Sequence, residues 1–166
     1  MLDAYKDLVD VLEDEIKVYR TLLDTVRREK EVLISAKIDD LNDNNKIKEA
    51  LLGKIKSLDR LREKCARELA TAVGSNAETP RLLDIAFKVS EPYSSKLRSI
   101  HSTLELLIKR IKEINEANEQ LIHNSLKAVN GALGAIKDTL QPKSTYAASG
   151  DLKRTEASGR FVSKDV

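Results

Sequence analysis

The chain predicts an all-α fold: an antiparallel up-down bundle of three long helices with a short fourth helix, packed in the left-handed coiled-coil manner and ending in a helix extension and a tail. Three observations carry this. Apolar residues recur at three- and four-residue steps over most of the 166 positions. Charged residues make up 34% and aromatics 4% with no Trp, which suits long solvated helices and not an α/β core. Gly and Pro punctuate the chain at only a few places. The expected organisation is a helical bundle over 1–140, with helices at about 3–36, 38–73, 80–90 and 92–140, then a flexible tail over 141–166.

The first helix opens near Asp3, a suitable N-cap. Tyr5, Leu12, Tyr19, Val26 and Leu33 stand seven apart, with Leu8, Val9, Ile16, Leu22 and Leu23 between them. A sustained seven-residue stripe is under-wound relative to 3.6 residues per turn, so it imposes a left-handed supercoil. Glu13 and Lys17 are placed for an outward i,i+4 pair. The helix breaks around Lys37 to Asp40, without Gly or Pro, and Asp39 and Asp40 complement the next helix N-terminus.

The second helix buries Leu41, Ile47, Leu51, Ile55, Leu58, Cys65, Leu69 and Ala72, with Glu63 and Arg67 paired outside. Asn42 to Lys46 are polar and read as loosely packed. Gly74 fits a C′ position, where φ > 0 carries no steric penalty. Thr79-Pro80 then reads as an N-cap and first helical residue for the short helix, which carries Leu82, Leu83, Ile85, Ala86 and Phe87.

Pro92 opens the longest element, about 49 residues or roughly 73 Å. Its stripe runs through Leu97, Leu104, Ile108, Ile111, Ile122, Val129, Ile136 and Leu140. A second set (Ile100, Leu107, Ile114, Leu121, Leu126, Leu133) widens it enough for two neighbours. The earlier helices are each about 35 residues, roughly 52 Å, so the end of this one outreaches them. Gly131 and Gly134 each weaken that end by about 1 kcal/mol relative to Ala, yet Val129, Leu133, Ile136 and Leu140 keep it apolar. Capture of a foreign helix fits such an end, and so does packing of the stripe on the same chain or in a symmetric homodimer.

The classes of function that composition excludes are broad. A net charge of +2 gives no push toward nucleic acid or an anionic membrane. No apolar run approaches the ~18 residues of a membrane span. The start lacks the basic and apolar regions of a signal peptide. The lone Cys65 reads as a small core hydrophobe and fits a reducing compartment. His101 and His123 are too far apart on one helix to share a metal, and no cofactor motif, phosphate loop or nucleophile elbow is present. An enzyme is therefore not expected, nor a cofactor. Asn115 and Asn118 fall on the inward steps of the long helix, where a buried amide fixes register at some expense of packing.

The run Asn115-Glu116-Ala117-Asn118-Glu119-Gln120-Leu121-Ile122, with Ser125-Leu126 and Val129-Asn130 after it, resembles the FlgN-type flagellar export chaperones. Leu33-Ile34-Ser35 with Ile38 and Leu41, and Thr145-Tyr146 before Gly150, strengthen the likeness. Where that family often has Gly-Asp at the first turn this chain has Ala36-Lys37, and where the tail has Gly after Tyr it has Ala147. The resemblance implies a cytoplasmic chaperone that binds the C-terminal segments of the hook–filament junction proteins, prevents their premature assembly and delivers them to the export apparatus. It places client binding at Val129, Leu133, Ile136 and Leu140, and export-gate docking at Tyr146, with the export ATPase as a further partner. A self-associating structural helical bundle is the competing reading.

Overall fold

Four helices follow one another, each beginning and ending where local chemistry dictates. A computed structural model describes residues 1–140 in full, and beyond them the backbone pairing of 145–146 with 152–153. The helices are α1 (Leu2–Ser35), α2 (Ile38–Val73), α3 (Leu82–Ala86) and α4 (Tyr93–Leu140). A two-residue strand pair, β1 (Thr145–Tyr146) and β2 (Leu152–Lys153), follows them, with Tyr146 opposite Leu152 in antiparallel register. The expected mobility of the 141–166 tail lies outside the described residues.

The caps explain the boundaries. Ala36 closes α1 in the left-handed conformation at φ 54°, which is strained for a residue with a Cβ. Gly74 closes α2 at φ 68°, as its position predicted, and Ser75 N–H returns to Ala70 O at 2.8 Å. Thr79 and Pro80 do not open a helix. The Asn76 side chain instead accepts from the N–H groups of Glu78 and Thr79, making a local turn. The third helix is thereby reduced to Leu82–Ala86 from the expected 80–90. Pro92 sits just before α4; its carbonyl accepts from Lys96 N–H, while the Glu91 carboxylate caps Ser95 N–H. The first helix is capped at Met1, not Asp3.

Two compact units are present, Met1–Ile122 and His123–Val166. In the first, the core divides into two clusters. One gathers Leu8, Leu12, Leu69, Ile85, Leu97 and Ile100, with Tyr5 and Tyr93 stacked edge-on at 4.6 Å. The other gathers Val18, Leu22, Leu23, Val26 and Ile55. Contacts between α1 and α2 run in reverse chain order, Glu15 with Arg62 and Thr25 with Asn44. Contacts between α1 and α4 run in the same order, Tyr5 with Tyr93, Glu13 with Lys96, Val26 with Asn118.

Several expected inward positions are not buried. Ile47 and Ile108 are nearly half exposed, Ile122 is 39% exposed, and Ala72 is exposed. Their burial would need a neighbour that this part of the bundle does not supply. Conversely, Asn44 lies in the stretch expected to be loose, yet it is 2% exposed and donates to Thr25 O at 3.3 Å. The Glu63–Arg67 pair forms, whereas Glu13 and Lys17 choose other partners: Lys96 for the former, Asp14 for the latter.

Candidate functional site

The second unit contains the end of α4, where every residue from His123 to Leu140 is exposed. Val129, Leu133, Ile136 and Leu140 stand at i, i+4, i+7 and i+11, so the helix carries them on one face. Their exposures lie between 55% and 59%, and Leu126 one turn earlier is similarly exposed. A contiguous apolar stripe in water marks a surface for another apolar element. The four predicted client residues thus share one face. Tyr146 is placed by the β1–β2 backbone pairing.

In the first unit, Asn115 and Asn118 meet a polar layer that spans three helices. Asn118 is 1% exposed; its Nδ2 donates to Val26 O at 2.9 Å and to Glu29 Oε2 at 3.0 Å. Lys48 Nζ donates to Glu29 Oε2 at 3.1 Å and to Asn115 Oδ1 at 2.7 Å, and Asn115 Nδ2 donates to Glu119 Oε1 at 2.9 Å. The layer joins α1, α2 and α4 at one level. Among the described residues two buried acceptors in it have no partner, the Oδ1 atoms of Asn44 and Asn118.

Sequence reasoning missed the carboxylates of this region. Glu29 is 5% exposed and Glu15 2%. Arg62 Nε donates to Glu15 Oε1 at 2.9 Å, and Arg62 Nη2 donates to Asp59 Oδ1 at 3.1 Å. Burial pushes the Glu15 carboxyl up to about 7, with Arg62 offsetting only part of that desolvation. Both residues lie inside the seven-residue stripe of α1, between apolar positions. That is the signal that could have found them.

Beside the polar layer α1, α2 and α4 enclose a groove of about 390 Å³, lined by Tyr19, Leu52, Ile108, Ile111 and Ile122 and reached by Asn118. A second concavity of about 470 Å³ shares Tyr19 and Ile108 with it and continues toward Leu83 and Pro80. His101 lies against Glu105 at 3.5 Å, and His123 is on the exposed end of α4. No group of three His, Cys, Asp or Glu stands ready for a metal among the described residues. Cys65 is buried, with its thiol pushed up by desolvation. No helix among the described residues is long and apolar enough to cross a membrane.

No curated protein and no solved structure matches the chain. The family model described as FlgN protein matches residues 1–154, nearly the whole length and both units. On that match, the chain belongs to the FlgN family of flagellar export chaperones.

Proposed function

We propose that this protein is a cytoplasmic chaperone that holds the C-terminal segments of the hook–filament junction proteins, keeps them from assembling early and hands them to the export apparatus. The observation that carries this reading is the exposed stripe Val129, Leu133, Ile136 and Leu140 on a helix with no covered residue from His123 onward. A disordered client segment with apolar residues at helical spacing would fold against it, offsetting its ordering entropy by burial of both stripes. Tyr146 is the residue proposed to dock at the export gate, with the export ATPase as a further contact. The reversed α1–α2 contacts and the same-order α1–α4 contacts support an antiparallel up-down arrangement of the three long helices. The seven-residue stripe of α1 supports left-handed packing. Asn115 and Asn118 act in this reading as the polar residues that fix helix register.

The test is binding of a junction-protein C-terminal peptide by calorimetry. Leu133→Asp with Ile136→Asp is expected to abolish binding while the melting transition stays in place. Undiminished binding by that double variant would put the client elsewhere.

A further inference from the structure

The concavity of about 470 Å³ is walled by α1, α2, α4 and α3 with the residues just before it, all within the first unit. Leu12, Leu82, Leu83, Leu104 and Ile108 supply its apolar wall. A volume of this size suits a small organic molecule. Glu15 lines the same cavity and is only 2% exposed. An apolar concavity with a buried ionisable group in its wall is the usual plan of a ligand site.

The acid groups there are short of positive charge. Arg62 Nε donates to Glu15 Oε1 at 2.9 Å, and Nη2 of the same guanidinium donates to Asp59 Oδ1 at 3.1 Å. One cation thus serves two carboxyl groups, a deficit of one positive charge (2 − 1). A proton makes up the deficit. The Glu15 carboxyl is pushed up to about 7, by burial foremost, with Arg62 opposing and the adjacent Asp59 carboxylate adding to the shift. Other charged groups around the cavity do not relieve it. Arg81 stands with Asp84 on the α3 side, and on α4 His101 Nδ1 lies 3.5 Å from Glu105 Oε2. Counting Arg62 and Arg81 against Glu15, Asp59, Asp84 and Glu105, all ionised, leaves two negative charges (2 − 4). Tyr19 lies beside both Glu15 and Asp59 in the same wall, and an aromatic ring is a good neighbour for a cation.

We propose that this cavity binds a small organic cation, an ammonium or guanidinium group on an apolar body, with its charge against Glu15 and Asp59 and its body along Leu83, Leu104 and Ile108. The ligand takes the place of the proton on Glu15. Its N–H groups donate to carboxylate oxygens that a single guanidinium leaves under-served. Binding is therefore linked to proton release, and affinity rises with pH through the titration of Glu15. The site uses none of the stripe residues, so it stands or falls apart from the client reading.

Benzamidine, benzamide and benzoate have nearly one shape and differ in charge, so calorimetry of the full chain with these three probes tests the proposal. Benzamidine is expected to bind with a Kd of about 1 mM, ordinary for so small a molecule. At pH 8 it is expected to bind about tenfold tighter than benzamide, with benzoate weaker than either. Between pH 6 and pH 8 its affinity is expected to rise about tenfold as Glu15 gives up its proton. His101→Gln is expected to keep that rise. Glu15→Gln and Asp59→Asn each leave Arg62 with a single acid, so each is expected to erase both the rise and the preference for benzamidine. Circular dichroism checks that the variants fold, and either one suffices if the other does not. The inference is overturned if benzamidine binds no better than benzamide, or if the preference survives in a folded Glu15 or Asp59 variant. It is also overturned if His101→Gln abolishes the pH dependence, or if amide NMR shifts on binding fall outside the cavity walls.

Discussion

Asn118 on α4 donates to the backbone carbonyl of Val26 on α1, 92 positions earlier in the chain, at 2.9 Å. The same Nδ2 serves Glu29, so one buried amide ties two helices at a single level. Asn118→Ala removes both bonds and leaves a void, and is expected to lower stability by about 1–3 kcal/mol. Asn118→Leu fills the space and also removes the unpartnered Oδ1, so its loss is expected to be smaller. Chemical denaturation of the two variants gives the order; Leu worse than Ala would mean the amide does more than fix register.

Lys48 is the cation that answers the buried Glu29 carboxylate, at 3.1 Å. Lys48→Met keeps the stem but leaves the carboxylate with no cation and the Asn118 amide as its donor, so a loss of about 3–5 kcal/mol is expected, the range for breaking a buried pair. The double change Lys48→Met with Glu29→Gln is expected to recover much of it. Thermal melting of the single and double variants measures the coupling.

Glu15 makes stability depend on pH in the direction opposite to an ordinary salt-bridged acid. Its carboxyl titrates near 7 in the fold against an ordinary value of 4.5, because burial disfavours the charge. Between those values the folded chain holds a proton that the unfolded chain has released. Stability contributed by this group is therefore full below about 4.5, falls as pH rises toward 7, and is gone above it. Glu15→Gln is expected to flatten that slope, and melting at a series of pH values reads it out directly.

Ala36 carries a positive φ of 54° at the end of α1. Glycine accepts that conformation freely, so Ala36→Gly is expected to raise stability by roughly 1 kcal/mol, the left-handed penalty less the entropy that glycine adds. A fall in melting temperature would show that the turn relaxes in solution.

The long helices were legible because period and punctuation agree there: Gly74 ends α2, and the break at Lys37 separates two apolar stripes of the same spacing. The short helix was not, because Thr79-Pro80 has the composition of a helix start while the nearby Asn76 side chain competes for the same N–H groups. The four stripe residues of the α4 end could be read from spacing alone. Their exposure could not, since a stripe looks the same whether or not it is covered. Glu15, Glu29 and Asn44 were hidden for a related reason. Charged and amide residues usually sit outside, and only the partners Arg62, Lys48 and Thr25, all distant in sequence, permit them within.

Cys65 lies on the buried side of α2, in the same cluster as Leu8 and Leu69. Its thiol is withheld from solvent and disinclined to ionise, so alkylating reagents meet it only when the helices part. The native chain consequently has a built-in clock. The rate at which a maleimide consumes that sulfur reports how often the core opens, and a ligand seated on the folded form would slow it with no cysteine having to be engineered in.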